Sequence, residues 1–196
     1  MTARCATINR KTNETTVSVE LGLDGEGRAD VTTGLPFYDH MLGALARHAR
    51  FDLTVRCAGD LHVDDHHTVE DVALALGEAL YAAVGDRRGL RRFGDAHAPL
   101  DEALARAVVD LSGRPHAEVH LGLRRERLGD VACENLTHAL RSLASAGRLT
   151  LHVDVLRGEN DHHRAEAAFK ALALALRAAV ARDGHDQVPS TKGVLA

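Results

Sequence analysis

The unit Asp65-His66-His67-Thr68-Val69-Glu70 returns as Asp161-His162-His163-Arg164-Ala165-Glu166, and each copy of D-H-H-x-x-E opens an alanine- and leucine-rich segment. The approach to each copy is repeated as well: His40-Met41-Leu42 stands 26 residues before His66, and His138-Ala139-Leu140 stands 24 residues before His162. The fold must therefore build one construction twice, and the repeated part carries side chains of the metal-ligating kind.

Hydrophobic periodicity divides the chain the same way. Phe51, Leu53, Val55 and Cys57 alternate with Asp52, Thr54 and Arg56, and Leu149, Leu151, Val153 and Val155 alternate with Thr150, His152 and Asp154, the pattern of strands buried on one face. A helix is expected before each of these strands, Phe37 to His48 after Pro36 and Cys133 to Ala146, with Leu136, Leu140 and Leu143 at helical spacing. The motif helix follows each strand. Its apolar stripe is Val69, Val72, Ala73, Leu76 and Leu80 in the first copy and Ala165, Phe169, Leu172 and Leu176 in the second. Further strands are expected at Thr15 to Leu23, Gly27 to Thr32, Ala105 to Leu111 and Ala117 to Leu121, with Gly25 and Gly27 flanking a hairpin turn between the first two. The stretch from Asp86 to Pro99 reads as the connection. The expectation is one α/β domain over residues 1–196, duplicated at approximately 12–86 and 99–181.

Composition removes several classes of function. A formal charge of -4, from 24 Lys and Arg against 28 Asp and Glu, lacks the basic excess of a nucleic-acid or membrane-surface protein, and four Phe, two Tyr and no Trp offer few platforms for stacked bases. Cys5, Cys57 and Cys133 are widely spaced and form neither a disulfide framework nor a thiolate zinc site. Such cysteines fit a reducing cytoplasm, the location expected, and the segment Met1-Thr2-Ala3-Arg4-Cys5 shows no apolar core of a signal peptide. The 13 His are the unusual feature, because His is both a versatile metal ligand and an acid/base at neutral pH.

Asp65 and Asp161 stand where helix N-caps are expected, which puts each His pair in a first helical turn. Positions four apart share a helix face, whereas neighbours diverge by about 100°. His66 therefore joins Glu70 while His67 points elsewhere, and His162 joins Glu166 while His163 points away. If a pseudo-twofold axis relates the halves, two equivalent ions follow, one held by His40, His67, His162 and Glu166, the other by His138, His163, His66 and Glu70. These nitrogen and oxygen donors suit Mn, Fe, Co, Ni or Zn. A non-catalytic His-rich metal-binding protein would use the same ligands, and so would a metal-dependent hydrolase.

Seven ordered blocks carry a resemblance: Asn13-Glu14-Thr15, Phe37 to Leu42, Asp65 to Asp71, Arg91 to Gly94, Asp110 to Pro115, Gly158 to His163, and Pro189-Ser190-Thr191-Lys192-Gly193. Together they resemble the imidazoleglycerol-phosphate dehydratases, lyases of histidine biosynthesis, from about residue 9 to the C-terminus. The resemblance implies two mixed four-stranded sheets packed on central helices, as in domain 2 of ribosomal protein S5. It also implies two Mn(II) ions per active site and a homo-oligomer of 24 subunits with sites between protomers. Phosphate would be bound by Arg92, Arg114, Ser190, Thr191 and Lys192, with His48 nearby, since Arg offers a planar fork of donors and Lys a point charge. Glu14 would be the general acid/base that moves a carbon-bound proton. The implied reaction dehydrates D-erythro-imidazole glycerol phosphate to imidazole acetol phosphate, through an imidazolate bound by both ions and a diazafulvene-like intermediate. The chain departs from the pattern at Gly43 and Ala44, where relatives carry polar residues, and from Arg124 to Glu134.

Overall fold

A computed structural model describes residues 4–193 and 195. Met1, Thr2 and Ala3, read above as part of a segment without a signal-peptide core, lie outside those residues. The first half runs β1 (Cys5–Lys11), β2 (Thr15–Gly22), β3 (Ala29–Thr32), α1 (Pro36–Ala49), β4 (Asp52–Gly59) and α2 (His66–Val84). The second half begins with β5 (Phe93–Leu100), β6 (Ala103–Asp110) and β7 (His116–His120). A short ribbon of β8 (Arg127–Leu128) and β9 (Val131–Ala132) then precedes α3 (Cys133–Ala146), β10 (Thr150–Arg157) and α4 (Asp161–Ala179). The sheets have the orders β1-β2-β4-β3 and β5-β6-β10-β7, each with one parallel pair, so the two halves share a topology apart from the inserted ribbon.

Alternation produces the sheets' inner faces. Thr15, Val17, Val19 and Leu21 of β2 are buried in turn, as are Ala103, Ala105, Ala107 and Val109 of β6, and the residues between them point away from the core. The helices lie on these faces: α2 packs on β1 and β2, α4 on β5 and β6, α1 on β3, and α3 on β7. Helices also pair across the repeat, α1 with α4 and α2 with α3. Each motif helix is thus enclosed by its own sheet and by the other half's first helix. That enclosure explains its alanines: Ala167, Ala168, Ala171, Ala173 and Ala175 of α4 are fully buried, and small side chains let strands and helices approach on several sides. Phe169 and Leu172 fill the remaining core volume, each worth about 1.5–3 kcal/mol of transfer free energy when fully buried. Among the described residues, no helix is long and apolar enough to cross a membrane.

The structure differs from the sequence expectation in three places. β5 occupies much of the stretch read as a connection; its inward residues are Gly94, Ala96 and Ala98 rather than branched ones, because α4 comes so close. A Cβ on Gly94 would lie 2.0 Å from the Ala175 carbonyl oxygen of α4. β1 is an additional strand, whose polar outer residues Thr7, Asn9 and Lys11 conceal an inner face of Ala6, Ile8 and Arg10. β2 and β3 do not form a hairpin, since β4 lies between them. The glycine loop instead wraps Asp52, whose Oδ1 accepts from the backbone N–H of Glu26 (2.9 Å) and Arg28 (3.0 Å).

Candidate functional site

The cross-pairing of helices brings His40 of α1 to the start of α4. His40 Nε2 and His162 Nε2 each lie 3.1 Å from the same oxygen, Glu166 Oε2. The equivalent pairing of α3 with α2 sets His138 Nε2 3.0 Å from Glu70 Oε1 and His66 Nε2 3.9 Å from Glu70 Oε2. In each triplet the donor atoms all lie within 4.8 Å of one another. Two His-His-Glu clusters result, each drawing one His from a first helix and a His and Glu from the other half's motif helix. The donors are nitrogen and oxygen without sulfur, and four imidazoles between a third and a half exposed leave room for further ligands. This set fits a divalent transition ion with open positions.

His67 and His163 do not join the clusters of their own chain. The His66 and His67 rings are nearly perpendicular at 81°, and those of His162 and His163 stand at 90°, as adjacent helical positions require. His67 Nδ1 instead meets Asp60 Oδ2 at 3.0 Å, with Nε2 3.6 Å from Glu14 Oε1. His163 Nδ1 meets Glu102 Oε2 at 2.7 Å, with Nε2 3.9 Å from Asp101 Oδ2. Glu14 sits in the β1–β2 turn, where Thr12 Oγ1 accepts from its N–H and its carbonyl accepts from the Asp60 N–H at 3.1 Å. Glu14, Asp60 and His67 therefore form one connected group.

Neighbouring charges tune these groups. Burial pushes the Glu166 carboxyl up, but hydrogen bonds from Lys170, His40 and His162 outweigh it and hold it at about 2. Hydrogen bonds from the Asn160 N–H, His163 and the Glu159 N–H hold Glu102 at about 2. The Asp60 carboxylate raises His67 above the usual imidazole value, and Glu102 does the same for His163. His48 is shifted the other way, by burial and then by the Lys170 charge. Lys170, 2.6 Å from Glu166 Oε1, went unread in the sequence although its place four residues beyond Glu166 puts it on the same helix face.

The motif aspartates have a different task from the capping expected of them. Asp65 stands at the N-cap position without a capping side-chain bond, and Asp64 Oδ1 accepts from the His66 N–H instead. Asn160 caps α4, with Asp161 one residue inside the helix. Both aspartates are buried and hold the segment leading into α3: Asp65 Oδ2 accepts from the Ala132 N–H and from Asn135 in the first turn of α3, and Asp161 Oδ2 accepts from the Arg124 and Arg125 N–H groups at 2.7 Å each. Asp130 of that segment accepts from the Phe37 N–H at 3.1 Å, and the Phe37 ring stands edge-on to His162 with centroids 5.3 Å apart. The segment thus fixes one wall of a cluster.

The phosphate candidates divide into two places. Arg92, with φ +71°, uses Nε and Nη2 on Asp110 (2.7 and 3.0 Å) and Nη1 on the Pro189 carbonyl (2.7 Å). This ties it to the turn of Ser190, Thr191 and Lys192, in which the Lys192 N–H donates to Ser190 Oγ. Arg114 lies near the same sheet end, at the turn between β6 and β7, its N–H donating to Ser112 Oγ. His48 lies at the C-terminal end of α1, in a basic pocket with Arg47, Arg50 and Arg177.

By fold and by site, the chain falls in a class of internally duplicated α/β proteins that carry a matched pair of His-His-Glu clusters. Residues 33–176 match the family model described as imidazoleglycerol-phosphate dehydratase. Proteins of that name from Phytophthora nicotianae and Saccharomyces cerevisiae are 60% and 52% identical to this chain over 193 and 219 residues. The first alignment covers 98% of this chain and 43% of the relative, which is the longer protein; the second covers 100% of both. Solved imidazoleglycerol-phosphate dehydratases are similar in structure too. The one from Staphylococcus aureus has a TM-score of 0.82 at 32% identity, covering 91% of this chain and 99% of its own, and the one from Pyrococcus furiosus has 0.83 at 37%, covering 96% and 100%. The chain belongs to the imidazoleglycerol-phosphate dehydratase family.

Proposed function

We propose that this chain removes water from D-erythro-imidazole glycerol phosphate to give imidazole acetol phosphate, in the cytoplasm, with one Mn(II) ion at each His-His-Glu cluster. The observation that carries this reading is the matched pair of clusters, His40, His162 and Glu166 against His66, Glu70 and His138, each with its donor atoms within 4.8 Å. When bound, such ions supply Lewis acidity to the two nitrogens of an imidazole ring, stabilising negative charge there. His67 and His163, which turn away from the clusters of their own chain, complete clusters of neighbouring copies in a homo-oligomer of 24 subunits.

Glu14 takes the proton from the carbon next to the one that loses its hydroxyl; the departing hydroxide is balanced by the proton that the imidazole ring gives up, and the resulting enol becomes the ketone. Its carboxylate, 3.6 Å from His67 Nε2, stands beside the imidazole that a neighbouring cluster would take. Arg92, Arg114, Ser190, Thr191 and Lys192 hold the phosphate, with His48 contributed from a second place. Of the five guanidinium N–H groups Arg92 commits three to Asp110 and Pro189, so it fixes the turn while keeping donors for the dianion.

The test is incubation of the purified protein with imidazole glycerol phosphate and manganese. The acetol product is expected, and chelation should abolish it. No turnover despite bound metal would favour a storage protein, and release of inorganic phosphate alone would favour a hydrolase. Glu14→Gln should bind metal normally and lose roughly 10²–10⁴-fold in turnover. Full turnover in that variant would remove Glu14 from the role.

A further inference from the structure

Each outer histidine stands between two carboxylates. His67 has Asp60 at Nδ1 (3.0 Å) and Glu14 at Nε2 (3.6 Å), and His163 has Glu102 at Nδ1 (2.7 Å) and Asp101 at Nε2 (3.9 Å). The two Nδ1 partners come from places that the repeat does not relate. Asp60 follows β4, whereas Glu102 lies in the β5–β6 turn, the counterpart of the turn that carries Glu14. The residues after β10, where a counterpart of Asp60 would stand, are Gly158 and Glu159, and there the Glu159 and Asn160 N–H groups donate to Glu102 at 3.0 and 2.9 Å. The duplicated fold thus meets one requirement, a carboxylate on Nδ1 of the outer histidine, by two different routes.

A neutral imidazole carries one proton, and a carboxylate acceptor at Nδ1 draws it there, leaving the Nε2 lone pair free. The ring is held in direction as well, because Asp60 reaches Nδ1 with both oxygens (3.2 and 3.0 Å) while its own N–H donates to the Glu14 carbonyl, and Glu102 is held by the Glu159 and Asn160 N–H groups at its other oxygen. The inner histidine His66 is held likewise, its Nδ1 3.0 Å from Asn135 Oδ1, while Asn135 donates to Asp65 at 2.9 Å.

We propose that Asp60 and Glu102 are positioning residues that fix His67 and His163 as Nδ1–H tautomers and aim Nε2 of each at a metal ion held by another copy of the chain. This rests on the two-ion reading above and adds to it a separate support for each ion, Asp60 for the one completed by His67 and Glu102 for the one completed by His163.

The test is manganese binding to the full-length protein, measured by competition with a chelator and independent of substrate. Wild type should bind two ions per chain. Asp60→Ala should weaken one of them, and Glu102→Ala the other, by roughly 10–100-fold, the usual effect of removing such an outer partner. Asp60→Asn and Glu102→Gln keep an acceptor oxygen and should recover most of the loss. In a His67→Ala background Asp60→Ala should add nothing, because its effect passes through that ring, and Glu102→Ala should likewise add nothing to His163→Ala. Unchanged affinity in the single variants, or an equal further loss without the histidine, overturns the positioning role while leaving two-ion binding intact. Wild-type protein that binds no manganese overturns both readings together.

Discussion

Asp161→Ala tests how the fold holds the site without touching a proposed ligand. The carboxylate is 3% exposed, and one of its oxygens accepts two backbone N–H groups, from Arg124 and Arg125, at 2.7 Å each. Hydrogen bonds to a charged group contribute about 1.5–3 kcal/mol apiece. Arg124 and Arg125 are exposed residues, so their freed N–H groups rehydrate and the total falls below the summed range of about 3–6 kcal/mol. The expected loss is about 2–3 kcal/mol, which for a chain of this size lowers Tm by roughly 4–12 °C. Asp161→Asn keeps a neutral acceptor for both N–H groups, so it should recover part of that loss. Thermal unfolding of metal-free protein measures both. The segment also bears Asp130, which holds Phe37 against His162, so manganese affinity at the His40 cluster should fall with stability. A Tm within about 1 °C of wild type for Asp161→Ala would refute the reasoning, since two charge-assisted bonds of this length are not removed without cost.

Acid should act on the same contacts. Burial pushes Asp65 and Asp161 up, but hydrogen bonds, from Asn135 and the Ala132 N–H to the first and from the Arg125 and Arg124 N–H groups to the second, bring both below the usual carboxylate value. A depressed folded pKa gives stability that is complete above the unfolded value of about 3.9 and is lost as pH falls through the folded one. The urea midpoint should therefore drop below about pH 4, less steeply in Asp161→Ala, and an equal slope in both proteins would contradict this. Shared sites can be tested by co-expressing His67→Ala and His162→Ala chains. Each alone should be inactive, while the mixture should regain about a quarter of wild-type turnover, because sites joining an intact His162 to an intact His67 form with that chance. A mixture that stays inactive would place both residues in one chain's site.

Much of the fold was legible because one-faced burial writes itself into order. The alternation at Leu53 and Val55 and at Leu151 and Val153 marks β4 and β10, and Cys133–Ala146 shows its helical spacing without help from context. β5 was not legible, because the closeness of α4 selects Gly94, Ala96 and Ala98, and small residues read as loop. The division of each His pair was legible too, since a helix must turn adjacent residues apart, as the rings at 81° and 90° do.

Sequence by itself determined the repeat, the motif helices and the donor types, because these depend on spacing along one element. Tertiary structure alone decided that Asp65 and Asp161 leave their helix ends to hold residues 124–132, and that Asp60 and Glu102 stand behind the outer histidines. A carboxylate in a sequence declares only what it can accept. Which donor arrives depends on how two sheets bring distant turns together, and that is fixed by packing rather than by local order.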